Sequence, residues 1–197
     1  MTFSSFSRWA LLLLMTSFNA QAQITWPDPY LSGVRNLPDS KLVELIVSGS
    51  EPAHIQHIIN LAPKDPALAL ERMRTFADLK IPTAMYVTGL WLQVKDPAAA
   101  FEWLKLAADA GHPVAQEAVG AQYKSGKAVA RNDAASFDYY LKAATGGIRP
   151  AMLNVATGYC LGDGVSKNVK EGRRWVDTLN KGQPKAKAFS YGDLECE

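Results

Sequence analysis

The sequence has few cysteines and almost no net charge, and each shortage excludes a class of protein. Two cysteines among 197 residues are too few for a disulfide-dense scaffold or a four-cysteine zinc site. Phosphate binding needs a concentrated basic surface, and a chain with a formal net charge of only +2 is not expected to have one. Nucleic acid is therefore not expected as the main partner. The hydrophobic fraction of 48% and the length instead predict one ordinary globular domain.

Motifs for catalysis and cofactor binding are also missing. The chain has no G-x-S-x-G elbow, no P-loop and no dinucleotide fingerprint. No serine or cysteine has an evident neighbouring base, and the carboxylates are scattered. His54 and His57 lie three residues apart on a predicted helix, but only Glu51 is nearby to extend a ligand set. We therefore predict no catalytic residues, no cofactor and no metal site.

A long apolar run occurs only in the first segment. Arg8 is the only charge between Met1 and Ala22, and it precedes an apolar run over 9–15. Ala20 and Ala22 are small residues at the positions that a signal peptidase reads. The pattern predicts a signal peptide over 1–22 and an exported, periplasmic mature protein without membrane insertion (secreted if the cell has no outer membrane). A membrane anchor or a buried helix is the alternative, although the run is shorter than the roughly 20 residues that span a bilayer.

Export changes the meaning of the two cysteines. Thiols in an oxidising compartment usually pair, which predicts a disulfide between Cys160 and Cys196. In the chain-entropy model, such a bond stabilises the fold by roughly 3–4 kcal/mol. Two free thiols, or a bond to another chain, are the alternatives.

The clearest internal pattern is a repeat. A shift of 36 residues superimposes Ala115 on Ala151, and it gives further matches at the positions of Val119, Tyr123, Gly126 and Asn132. An upstream copy needs a shift of 31 in its first part, which places the length difference in a loop. A fixed period of about 20–50 residues predicts a solenoid of supersecondary units.

Each copy is predicted to contain two helices. Side-chain oxygens at Asp96, Asn132 and Asn168 are placed to cap the second helices, and Gly111 and Gly146-Gly147 suit the turns that follow them. The predicted first helices lie near 83–92, 113–124 and 150–161, and the predicted second helices lie near 97–110, 133–145 and 169–181.

This pattern resembles the Sel1-like repeat family, a branch of the tetratricopeptide-like α/α solenoids. The motif positions that carry the resemblance are Ala115, Gly120, Tyr123, Gly126 and Val129 in the second copy, and Tyr159, Gly162, Gly164 and Val165 in the third. Ala128 and Ala156 depart from it, since glycine is usual there. The resemblance implies an all-α solenoid of stacked antiparallel helix pairs, with N-terminal capping helices and a role in binding proteins.

Four segments follow from these patterns. The signal peptide, 1–22, precedes a linker and N-terminal helical cap over 23–81, with helices near 39–48, 52–61 and 66–79. This cap could include a degenerate repeat. Three repeats are assigned to 82–111, 112–147 and 148–182. A C-terminal tail, 183–197, has Phe189, Tyr191 and Leu194 available to pack over the last repeat.

A stack of helix pairs forms a concave face, which the first helix of each pair mainly lines. Residues there that do not define the repeat are free to bind a partner protein. They are Tyr86, Leu90, Glu117, Ala121, Lys124, Leu153 and Thr157. The alternative is that each packs against its own neighbouring helix. We predict a periplasmic interaction module that acts as an envelope adaptor or as a toxin-neutralising immunity protein. A secreted envelope hydrolase and a structural subunit of an oligomer are the other hypotheses.

Overall fold

A computed structural model describes residues 31, 33–34, 37–181, 188–194 and 196. The predicted signal peptide and most of the predicted linker lie outside the described residues. Within them the chain forms nine α-helices and one short 3-10 helix, with no strand. The predicted all-α class is confirmed.

Successive helices pack against one another along the chain, so that antiparallel pairs form a stack. Every predicted helix agrees with the structure to within one residue at each end. The helices are α1 (Asp39–Val47), α2 (Glu51–Leu61), α3 (Pro66–Asp78), α4 (Pro82–Leu92), α5 (Pro97–Asp109), α6 (Pro113–Ser125), α7 (Asp133–Thr145), α8 (Arg149–Leu161) and α9 (Val169–Asn180).

Side-chain caps fix where the second helix of each pair begins. The side chains of Asp65, Asp96, Asn132 and Asn168 each accept a hydrogen bond from the backbone N–H three residues further on, at 2.9–3.2 Å. Each cap satisfies a helix-terminal donor that has no partner within the helix. The predicted caps of α5, α7 and α9 are confirmed, and Asp65 adds the same cap to α3.

The N-terminal cap contains a fourth helix pair in the register of the repeats. Both bounds of α2 and of α3 lie 31 residues before those of α4 and α5. The turn after each pair keeps the same left-handed backbone, with φ of 61° at Lys80 and 89° at Gly111. Leu42 of α1 lies a further 31 residues before the buried Met73 and is itself fully buried. Thus α1 lies in the register of a second helix.

Small residues allow the two helices of a pair to approach closely. A Cβ atom on Gly89 would lie 2.8 Å from Cγ of Leu104, and one on Gly120 would lie 2.8 Å from Cδ1 of Tyr140. The third repeat has Ala156 at this position, but the residue opposite it on α9 is Gly172. A Cβ there would overlap both disulfide sulfurs and lie 3.2 Å from the Ala156 carbonyl oxygen. The missing glycine is therefore compensated on the partner helix.

The tail lies on α9 through polar contacts. Asn180 exchanges two hydrogen bonds with the backbone of Phe189, at 2.8 and 2.9 Å, and the Tyr191 hydroxyl donates to Asp177 at 2.8 Å. Phe189 and Tyr191 remain 36% and 39% exposed. The Tyr191 ring nevertheless lies against α9, with the guanidinium carbon of Arg173 5.2 Å from the ring centroid.

The tail also carries the second cysteine. The structure pairs Cys196 with Cys160 as a disulfide, with the two Cα atoms 4.9 Å apart. This separation lies inside the range that a disulfide requires. Arg173 of α9 donates to the Cys196 carbonyl at 2.8 Å and so holds the same part of the tail.

Candidate partner-binding face

The first helices of the three predicted repeats are more shielded from solvent than the second helices. Across 82–92, 113–124 and 149–160, every residue is buried or half-buried. Each second helix instead has exposed positions, such as Glu102 on α5 and Asp138 on α7. This distribution is expected for first helices on the inner side of a curved stack.

Six of the seven predicted partner-binding residues fall on two equivalent positions of these helices. Tyr86, Glu117 and Leu153 share one position, and Leu90, Ala121 and Thr157 share the position one turn later. Lys124 follows on the next turn of α6. All seven are half-buried. We call this set the first-helix stripe.

At its N-terminal end, the stripe is partly used by the fold itself. The Tyr86 ring stacks on the His112 ring, with centroids 4.7 Å apart, and Leu90 packs against the larger core cluster. His112 is buried, and its Nδ1 accepts a hydrogen bond from the Ala115 N–H at 3.2 Å. His112 therefore caps α6, a role that the sequence did not predict because histidine is an uncommon cap.

Lys124 ties adjacent repeats together. Its Nζ donates to Asp163 in the loop after α8 and lies 3.4 Å from a carboxylate oxygen of Asp133 at the start of α7. Arg131 also pairs with Asp133 at 3.0 Å. The hydrogen bond from Arg131 holds the pKa of Asp133 below its usual range, and Lys124 adds to the effect. The ammonium group of Lys124 is therefore already compensated.

Glu117 differs from Lys124 because the described residues give it no ion pair. Its carboxylate is partly buried on α6, and that burial raises its pKa. Burial and the nearby negative charge of Glu117 raise the pKa of Tyr140 to about 12. The centre of the stripe thus carries a carboxylate whose charge no neighbouring cation offsets.

The C-terminal end of the stripe is formed by Leu153 and Thr157, which are half-buried. The Leu153 side chain belongs to neither core cluster of the described residues, whereas Ala121 packs against the smaller cluster. The next position along α8 is Cys160, which the disulfide to the tail buries. The tail therefore closes the stripe at this end.

The two histidines of α2 do not form a ligand set. Nδ1 of His54 lies 3.1 Å from the Ser50 carbonyl oxygen, while Nδ1 of His57 is buried without a hydrogen-bond partner. In the described part of the chain, no group of three His, Cys, Asp or Glu side chains is arranged to hold a metal ion. None of the helices described is long and apolar enough to cross a membrane.

These stacked helix pairs define an α/α solenoid. The model of the family described as Sel1 repeat matches residues 84–112, 113–148 and 149–176. The chain therefore carries three Sel1 repeats over 84–176. Repeats of this kind generally mediate contacts between proteins and are generally not catalytic.

Two solved structures share the fold. A Sel1 repeat protein from Oxalobacter formigenes is 25% identical with a TM-score of 0.55, and the match covers 59% of this chain and 92% of that one. The protective antigen c5321 of uropathogenic Escherichia coli, described as displaying an SLR fold, is 26% identical with a TM-score of 0.65. That match covers 76% of this chain but 34% of the antigen. No curated protein matches the chain.

Proposed function

We propose that this protein is an exported interaction module that binds another protein on the concave face formed by its first helices. The observation that carries the proposal is the first-helix stripe itself. Its seven residues are half-buried, its apolar Leu153 side chain belongs to neither core cluster, and the described residues give its Glu117 carboxylate no ion pair. Shielded apolar positions around a few polar groups are typical of the centre of a protein interface.

Two further features favour an oxidising compartment outside the cytoplasm. The predicted signal peptide would export the chain, and the disulfide between Cys160 and Cys196 is of a kind that persists in an oxidising compartment. In this setting the module acts as an envelope adaptor or as an immunity protein that neutralises a toxin. N-terminal sequencing of the mature protein tests the predicted cleavage, and we expect Gln23 as the first residue. An intact Met1 in the periplasmic fraction would contradict the predicted signal peptide.

Comparative purification from envelope extracts tests the binding face. The tagged chain is compared with Leu153→Asp on the stripe and with Leu106→Asp, a matched change at a leucine that is 52% exposed on α5. We expect one protein to co-purify with the native chain and with the Leu106 variant. The same protein should be absent from the purification of the Leu153 variant. Its identity separates the two roles, since a secreted toxin indicates immunity and an envelope component indicates an adaptor. Equal recovery with all three chains would contradict the proposed face.

A further inference from the structure

We propose that the partner segment on the first-helix stripe carries a lysine or arginine beside apolar side chains, and that Glu117 binds this cation. The inference rests on the proposed function, because it concerns the same face. It adds the chemistry of the partner and the residue that selects it.

The first helices of the three repeats carry few charged residues. The segments 82–92, 113–124 and 149–160 contain only three, namely Glu117, Lys124 and Arg149. Lys124 pairs with two aspartates, and Arg149 donates a hydrogen bond to the Leu179 carbonyl. Only Glu117 has no partner among the described residues. The fold therefore satisfies both cations on this side and leaves the single anion uncompensated.

Apolar or small side chains occupy the stripe positions next to Glu117. At the equivalent position, the preceding repeat has Tyr86 and the following repeat has Leu153, while Ala121 and Thr157 are small side chains one turn further on. A cation that approaches Glu117 thus has apolar or small neighbours on both sides. This pattern fits a basic residue whose own neighbours in the partner are apolar.

Burial without a partner makes the charged form of Glu117 energetically costly. A partly desolvated carboxylate loses hydration that no protein group replaces, and burial raises its pKa accordingly. An incoming ammonium or guanidinium group supplies a charge-assisted hydrogen bond in a shielded site, where such bonds are strong. A negative residue in the partner would instead be repelled, so Glu117 also confers specificity.

A displayed library of random linear peptides provides the probe. The full mature chain is used to select binders, and the dominant peptide is synthesised with its basic residue intact or changed to glutamine. Affinities are measured for the native chain, for Glu117→Gln, and for Glu102→Gln, which removes the same charge from an exposed site on α5. Leu153→Asp reports whether the peptide lies on the stripe at all.

The inference predicts enriched peptides with lysine or arginine next to apolar residues. Glu117→Gln should weaken binding about tenfold or more, since losing one member of a shielded charge pair commonly has that effect. Glu102→Gln should leave the affinity unchanged, and the glutamine peptide should bind the native chain and the Glu117 variant alike. Glu117→Lys should recover binding to a peptide whose basic residue is changed to glutamate, which separates a charge effect from a folding defect.

Two other results are distinguishable. Peptides that Leu153→Asp abolishes, but that lack a basic residue or ignore Glu117→Gln, would overturn the role of Glu117 and leave the proposed binding face standing. A library that yields no binder, or only binders that no stripe variant affects, would overturn both the inference and the proposed face.

Discussion

Thr88 shows how a single residue departs from the repeat. Its side chain is fully buried on α4, and its hydroxyl has no hydrogen-bond partner. The equivalent positions in the next two repeats are Val119 and Val155, and in the preceding pair His57, whose Nδ1 is likewise buried and unpaired. Alignment of the repeats therefore shows a polar residue at a position where the next two repeats have valine, so this departure could be predicted from the sequence.

Replacing Thr88 with valine tests this interpretation. Thr88→Val keeps the shape and removes an unsatisfied hydroxyl, so it should raise the free energy of unfolding by about 1–2 kcal/mol. Urea denaturation measures the change, with Thr157→Val on the half-buried stripe as the control. A lower stability of Thr88→Val would mean that the hydroxyl has a partner in solution.

Glu117 makes a prediction about pH. Because burial raises its pKa, the folded state binds the proton more tightly than the unfolded chain does. The charged form therefore lowers stability above the folded-state pKa, and this cost disappears as the pH falls through the unfolded-state pKa. Glu117→Gln should raise the free energy of unfolding modestly at neutral pH and have little effect in acid.

Urea denaturation over a series of pH values measures this difference, and the exposed Glu102→Gln should show no comparable pH dependence. A gain that stays constant with pH, or a loss at neutral pH, would contradict the account. Stability given up at neutral pH is what a residue kept for binding is expected to show.

At the scale of helices, bounds and caps could be predicted, but close packing could not. Hydrophobic spacing and the residues Asp96, Asn132 and Asn168 locate the helices to within one residue. The sequence allowed a degenerate repeat in the N-terminal cap, and the structure shows that the pair α2–α3 keeps the register of the repeats. Ile58 occupies the place of Gly89 there, and these two helices lie less closely together. A motif defined by small residues therefore does not detect the pair α2–α3, which keeps only the helix lengths and the helix cap of the repeats.

The third repeat provides the test of close packing. Gly172→Ala should lower the free energy of unfolding by about 1–3 kcal/mol, because its Cβ would overlap both disulfide sulfurs and contact Ala156. Thermal unfolding measures the loss, and Gly33→Ala, where a Cβ meets no atom within 4 Å, serves as the control. Equal effects of the two changes would show that the α8–α9 contact tolerates a methyl group.

For the whole molecule, the disulfide and the polar tail contacts define how the stack ends. The bond joins residues 36 apart, so removing it should cost about 2–4 kcal/mol. The double change Cys160→Ser and Cys196→Ser should show this loss in denaturant. Reduction should destabilise the native chain and leave the double variant unchanged.

Proteolysis under non-reducing conditions, followed by mass spectrometry, should find the peptide of Cys160 joined to that of Cys196. Two free thiols in the mature protein, or a link between two chains, would contradict this account. The sequence predicted the pairing from the compartment, but it could not show that Gly172 makes room for the sulfurs, because that contact joins segments far apart in the chain.

The candidate binding face was only partly predictable at this scale. Repeat spacing placed six of the seven residues at two equivalent positions and Lys124 one turn further on, and the structure shows all seven as half-buried. Their separate environments depend on tertiary contacts. Lys124 is compensated by Asp133 and Asp163 from later elements, while Glu117 is left without a cation. One sequence cannot distinguish these two cases, because both residues occupy similar places on the same helix.

Site-specific photo-crosslinking in living cells tests the central claim most directly. A photoreactive amino acid is placed at Thr157 on the stripe or at Asp138, an exposed position on α7. Binding through the first helices predicts one discrete adduct with another protein from Thr157 and none from Asp138. Adducts of equal strength from both positions, or an adduct from Asp138 alone, would show that the first helices are not the binding face.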